Sequence, residues 1–130
     1  MITSQIQLKS GKTDSIKRKH PWIFSGAIKM VYGQPNDGDI VEVTDNKGIF
    51  LCLGHFQSHG SIAVRILSFD RVNIDAEFYE NKLKIAYNYR KALAYTDENS
   101  KIGNAYRLVY GEADSLPGLI IDYYNGVIVI

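Results

Sequence analysis

The chain has 130 residues, a net charge of +1, 45% hydrophobic and 22% charged residues. That is ordinary globular usage and excludes a disordered tail, a collagen-like chain or a coiled coil. No apolar run nears the roughly 20 residues that a membrane-spanning helix needs, and the opening MITSQIQLKS has no apolar stretch of the signal-peptide kind. The single cysteine, Cys52, cannot form an internal disulfide or a multi-cysteine metal site, and His20, His55 and His59 are too few to argue for zinc. The expectation is a cytoplasmic protein without a membrane partner, a metal or a cofactor of its own.

Charge is unevenly spread. Between Lys9 and His20 stand five cations (Lys9, Lys12, Lys17, Arg18, Lys19) and one acid, Asp14, a local net of +4, so the other 118 residues carry −3. A polyanion would meet this one segment rather than the whole surface. The bland alternative is a solvated turn that happens to be basic.

In chain order, residues 3–8 alternate and predict a first strand. A short helix is expected over 13–19, capped by Thr13 or Asp14 and ended by Pro21, because the residue before proline is pushed out of the helical region. The aromatic cluster Trp22-Ile23-Phe24 follows, then a strand over 27–32 and turn chemistry over 33–39. Residues 40–44 alternate, Asp45-Asn46-Lys47-Gly48 predicts a hairpin turn, and the apolar run 49–56 predicts a strand buried on both faces, with a bulge or barrel corner at Gly54. A further strand is expected over 62–67. Short strands with turns every eight to twelve residues indicate a compact β-barrel.

The character changes near residue 72. From Ile74 to Tyr95 there is no Gly or Pro. Glu77, Asn81, Lys84, Asn88 and Lys91 share one helical face, and Tyr79, Leu83, Ala86 and Leu93 share another, with Phe78, Ile85 and Tyr89 alongside, so an amphipathic helix capped by Asp75 is expected. A polar loop over 96–104 precedes strands at 106–110, 119–124 and 127–130. The fold class is α+β, in two parts: a β-barrel over 1–70 and a helix-plus-strands unit over 71–130. The apolar ending Val127-Ile128-Val129-Ile130 needs a neighbour, which leads to the expectation of a longer polypeptide, or of a homodimer formed through this strand.

Three constellations invite chemistry. In KRKHPWIFSGAI (17–28) the adjacent cations suit phosphates, His20 suits a phosphate or a base edge, and Trp22 either packs in the barrel or stacks on an unpaired base. In Arg107 with GEADSLPGLIID (111–122), the acids Glu112, Asp114 and Asp122 lack metal or acid–base spacing, and a hairpin whose acids cap turns or pair with Arg107 is the simpler reading. Cys52, between Leu51 and Leu53, is expected as a small core residue.

The order KRKHPWIFSGAI, GDIVEVTDNKGIFLCLGHF and SIAVRIL resembles a PUA domain, the pseudo-barrel RNA-binding module of pseudouridine synthases and archaeosine transglycosylases. Together with NAYRLVYGEADSLPGLIIDYYNGVIVI, it is similar to the N-terminal part of the bacterial large-subunit rRNA cytosine-C5 methyltransferase family. The resemblance implies a PUA-like barrel, a small linking domain built from a long helix and antiparallel strands, and a C-terminal methyltransferase domain missing from this chain. S-adenosylmethionine and the catalytic cysteine belong to that missing domain. The implied partner is RNA, large-subunit rRNA in particular, and not DNA. The expected RNA contacts are Lys9, Lys12, Lys17, Arg18, Lys19, His20 and Trp22, with Arg65 weaker. The expected interdomain loop is Arg107, Glu112, Asp114 and Pro117, with Arg107 orienting the loop through a carboxylate. A free-standing RNA-binding module and a protein-interaction barrel that binds no nucleic acid stay open as alternatives.

Overall fold

Alternating β-branched residues build the first half of the chain. A computed structural model describes residues 4–96 and 104–130, and the chain divides into two units, Met1–Val72 and Asn73–Ile130. The polar loop expected over 96–104 lies largely outside the described residues, as does the first residue of the strand expected over 3–8.

The first unit contains β1 (Gln5–Leu8), α1 (Asp14–Lys17), β2 (Trp22–Phe24), a 3-10 turn over Ser25–Ala27, β3 (Ile28–Tyr32), β4 (Ile40–Thr44), β5 (Phe50–Phe56) and β6 (Ile62–Ser68). They form one sheet in the order β2-β6-β5-β4-β1-β3. All its pairings are antiparallel except β1 with β4. Ile6 and Leu8, Val41 and Val43, and Val64 and Ile66 point inward at every second position, each worth about 1.5–3 kcal/mol when fully buried. The edge strands send Ile23 and Ile28 into this same core, which requires the sheet to curl into a half-barrel. Ile16 of α1 packs there as well.

In β5, adjacent Cys52 and Leu53 are both buried, so both faces are covered there, as the continuous apolar run predicts. The register slips between Leu53 and Gly54. A Cβ on Gly54 would lie 2.5 Å from the Arg65 carbonyl oxygen and 2.7 Å from Val64 Cγ1, a true bulge with the two backbones in close approach. At the β4–β5 hairpin, Asp45 Oδ1 accepts from the amides of Lys47 (2.8 Å) and Ile49 (2.9 Å).

The first helix is shorter than expected and proline does not end it. Lys19 turns left-handed at φ 61°, its amide donates to Ile16 O (2.8 Å), and the His20 amide donates to Ser15 O (2.9 Å). This is the Schellman closure, with lysine where glycine is usual. Trp22–Phe24 is a strand, too short for alternation to reveal, and the turn at Ser25–Ala27 delays β3 to Ile28.

The second unit contains α2 (Ala76–Ala92), β7 (Ala105–Tyr110), a 3-10 turn over Gly111–Asp114, β8 (Ile120–Tyr124) and β9 (Val127–Val129), with an antiparallel sheet ordered β7-β8-β9. Asp75 caps the helix, accepting from the Phe78 amide at 3.0 Å. Ala86, Val109, Leu116 and Ile121 form the core, with Tyr79 and Leu83 against it, and the five expected polar-face residues are exposed. Ile85, Tyr89 and Leu93 are exposed too. The first two fall off the 79–83–86 stripe at about 100° per residue, and Leu93 is the C-cap, where Ala94 turns the chain left-handed. The residue that completes the stripe is Arg90, which is buried.

Gly54→Ala drives a methyl into a backbone carbonyl with no void to receive it. We expect a loss of at least about 2 kcal/mol, read as a lowered urea midpoint; a midpoint within error of wild type would contradict the close approach.

Candidate nucleic-acid interface

The cationic segment wraps around one pocket of the first unit. The Lys9 amide donates to Ala27 O (2.9 Å) and Lys9 Nζ donates to Gly26 O (2.9 Å), which ties the end of β1 to the 3-10 turn. The Lys12 amide closes back on Lys9 O (3.2 Å). Between this turn, α1 and β2 opens a pocket of about 380 Å³ lined by Gly11, Lys12, Asp14, Ser15, Ile16, Ile23, Phe24, Gly26 and Ala27. Its lining joins apolar Ile16, Ile23, Phe24 and Ala27 to polar Lys12, Asp14 and Ser15. Lys17 and Arg18 end α1 and are exposed.

An aromatic ridge adjoins the pocket. His20, Trp22 and Phe24 follow one another at every second residue, opposite buried Ile23. Ring centroids lie 5.8 Å apart for His20–Trp22, 6.0 Å for His20–Phe24 and 6.5 Å for Trp22–Phe24. His20 Nδ1 sits 3.2 Å from both the amide nitrogen and the carbonyl oxygen of Trp22, which fixes the ring. Trp22 is half-buried and Phe24 is 47% exposed. Arg65 is the cross-strand partner of Trp22, its Cζ 5.9 Å from the indole centroid. Phe24 is the link between the two groups: it lines the pocket with Lys12 and contacts the His20 and Trp22 rings, while Lys9 bonds the pocket's Gly26 and Arg65 lies on the strand beside Trp22. Lys19 is exposed as well, and its Nζ lies 4.3 Å over the Phe69 ring. Phe24 escaped the sequence reading, although its i+2 spacing from Trp22 was the available signal.

In the second unit a guanidinium organises the GEADSLPG loop. Arg90 Nε donates to Arg107 O (3.1 Å) and Nη2 to Asp114 Oδ2 (2.7 Å), while Nη1 donates to Asp114 Oδ1. Asp114 Oδ2 also accepts from the Tyr110 amide (2.7 Å), and Ser115 turns left-handed at φ 57°. This corrects the expectation that Arg107 orients the loop. Arg107 makes a two-pronged pair with Asp122 on the neighbouring strand, at 2.8 and 3.0 Å, and that hydrogen bonding holds the Asp122 carboxyl below the usual carboxylate range. Glu112 and Pro117 are half-buried in the loop, on either side of core residue Leu116. The cation on the apolar stripe of α2 was the overlooked sign of Arg90.

Cys52 is buried in β5, and burial pushes its thiol up to about 12, so it is not a thiolate at neutral pH. Among the described residues no group of three His, Cys, Asp or Glu could hold a metal ion, and no described helix is long and apolar enough to cross a membrane.

Residues 6–69 match the PUA-like domain family, the span from β1 to just past β6 that forms the curled sheet. This unit is a PUA-like domain. The likeness extends beyond it. The chain is 40% identical over 129 residues to ribosomal RNA large subunit methyltransferase I of Pseudoalteromonas translucida, covering 98% of this chain and 32% of that protein. It is 38% identical over 130 residues to the protein of the same name from Photobacterium profundum, with the same two coverages, and 35% identical over 130 residues to that of Escherichia coli, covering 99% and 32%. The chain is homologous to these proteins and spans about a third of their length. A solved structure from Streptococcus mutans described as a SAM-dependent methyltransferase shares the fold, with a TM-score of 0.77 and 22% identity over 98% of this chain and 32% of that one. Another, described as a methyltransferase complexed with SAH, has a TM-score of 0.78 at 22% identity, covering 98% and 31%.

Two outcomes test these assignments. Asp114→Ala leaves the Arg90 charge buried without its carboxylate and should destabilise the second unit by about 3–5 kcal/mol, measured by urea unfolding. Within the PUA-like domain, Lys19→Gly and Lys19→Ala both remove the ammonium, but only glycine relieves the left-handed backbone. The glycine variant should therefore be more stable than the alanine variant by about 1 kcal/mol.

Proposed function

We propose that the PUA-like domain binds RNA, and that the chain is the RNA-recognising part of an S-adenosylmethionine-dependent large-subunit rRNA methyltransferase acting at C5 of a cytosine. The observation that carries this is a pocket lined by Lys12 and Phe24, with Lys9 bonded to its Gly26 wall, exposed Lys17 and Arg18 ending the adjoining helix, and His20 and Trp22 in ring contact with Phe24. Cations supply salt-dependent, sequence-independent attraction to phosphates. An exposed ring supplies about 1–3 kcal/mol per stacked base. A lining that joins apolar side chains to Lys12 suits a base that has left its helix, the way proteins most often read RNA.

Charge supports the same division of labour. The residues of the first unit sum to +3 and those of the second to −2, so the first unit meets the polyanion. The Arg90–Asp114 clamp presents the GEADSLPG loop as a preformed surface, suited to contact with a further domain. The relatives' name supplies the substrate class, and the solved structure described as complexed with SAH supports S-adenosylmethionine as methyl donor in a full-length protein.

The residues present here do not fit that cofactor. The one long helix, α2, follows Arg71-Val72-Asn73-Ile74-Asp75, which has no glycine to bring backbone amides onto a nucleotide, and Cys52 is not a nucleophile. The role of this chain is therefore to bind and position RNA.

Replacing Lys12, Lys17 and Arg18 together by Glu spares the structural Lys19. It should weaken binding of a structured rRNA fragment and lower the magnitude of the log K against log salt slope by about 2, with the unfolding midpoint of the domain retained. Unchanged affinity and slope in fluorescence anisotropy would remove the cationic segment from the interface.

A further inference from the structure

The pocket between α1, β2 and the 3-10 turn has one feature that attraction to phosphate leaves unexplained. Asp14, the only acid between Lys9 and His20, lines it together with Lys12. A carboxylate set among cations weakens their pull on a polyanion, so its place in the lining points to a ligand that meets it.

The fold leaves this carboxylate open. The Asp14 carbonyl accepts from the Arg18 amide (3.1 Å) and from Arg18 Nε (3.3 Å). Among the described residues, however, neither the Asp14 carboxylate nor the Lys12 ammonium takes a hydrogen bond or an ion pair, and the two do not pair with each other. Both side chains are exposed. The space around them is open as well: a Cβ built on Gly11 or on Gly26, both in the lining, would meet nothing within 4 Å. Ile16, Ile23, Phe24 and Ala27 add apolar surface.

Charge narrows the occupant. An anion meets Asp14 and a cation meets Lys12, whereas a neutral flat ring with donors and acceptors along one edge satisfies both. An unpaired nucleobase is such a ring, with its pairing edge open to side chains. The bases differ along that edge. Guanine presents N1–H and the N2 amino group side by side, with O6 next to them, so one carboxylate accepts two parallel charge-assisted bonds and an ammonium donates to O6. Adenine and cytosine offer one amino group beside a ring-nitrogen lone pair, which engages a single carboxylate oxygen. Uracil offers one N–H flanked by two carbonyl oxygens, which a carboxylate repels.

We infer that this pocket is a guanine-reading site, in which the Asp14 carboxylate accepts from N1–H and the N2 amino group of an unpaired guanine, Lys12 donates to its O6 and Phe24 bears on the ring. This rests on the proposal that the domain binds RNA. It goes beyond that proposal by assigning base selectivity to Asp14, a residue that a purely cationic interface does not need.

The test measures the full 130-residue chain by fluorescence anisotropy against one RNA stem-loop whose uridine loop carries guanosine, adenosine, cytidine or uridine at a single position. The guanosine loop should bind tightest, by about 10-fold over uridine, the scale of a hydrogen bond to a charged group. Inosine at that position, which lacks the N2 amino group, should lose part of this gain. Asp14→Asn should remove the guanosine preference by weakening the guanosine loop in particular. If Asp14→Asn disturbs folding, the inosine comparison on wild-type protein answers the same question. Salt-dependent binding without a guanosine preference, inosine bound as tightly as guanosine, or a folded Asp14→Asn variant that keeps the preference overturns the guanine site and leaves the cationic interface standing. Absence of salt-dependent RNA binding overturns both.

Discussion

The approach of β5 to β6 at Gly54 governs the first unit. With no side chain there, the strands come close enough that a single added carbon would sit 2.5 Å from the Arg65 carbonyl. The bulge at that point slips the register by one residue, and a one-residue slip decides which side chains face outward. Beyond it, His55 stands opposite Arg65 on the outer face, and Phe56 turns its amide and carbonyl to the 38–39 loop. The facing of His55 and Arg65 beyond the bulge follows from this one small residue, while further register shifts at β1–β3, β2–β6 and β4–β5 share in the curl of the sheet.

Around this frame, the basic segment is not uniform. All five cations are exposed, but Lys9 also bonds the Gly26 carbonyl and Lys19 also closes α1 and lies over Phe69. An ammonium bonded to a carbonyl keeps its charge and still contributes to the local field, yet its position serves the fold. Lysine in the left-handed Schellman position costs about 1 kcal/mol relative to glycine. The Phe69 contact offsets part of that, at roughly 0.5–1 kcal/mol for an exposed cation–π pair.

The second unit depends on an ion pair instead of a close approach. Its core is small, and its helix places Arg90 where the pattern calls for an aliphatic residue. A buried guanidinium is tolerable only when its donors are met, and here the Arg107 carbonyl and both oxygens of Asp114 meet them. The Tyr110 amide joins the same carboxylate. The loop between β7 and β8 is thereby shaped from inside.

Much was legible in the residues themselves. Alternation marked β1 and β4, the long stretch without Gly or Pro marked α2, Asp75 marked its cap, and Asp45 with Gly48 marked the hairpin, because each signal is local and acts within a few residues. The apolar setting of Cys52 marked it as core for the same reason. Other features required the tertiary structure. The three-residue β2 has no period to detect and exists because β6 pairs with it. Lys19 is set apart from its neighbours by Phe69, fifty residues away. Arg90 selects Asp114 over a bridge that spacing along the chain does not encode, and His55 Nδ1 meets the Gly38 carbonyl oxygen at 2.8 Å only because strand pairing brings that distant turn beside it. Short-range geometry can be read from order in the sequence; hydrogen-bond partners chosen by strand register cannot, since register is decided by the whole sheet at once.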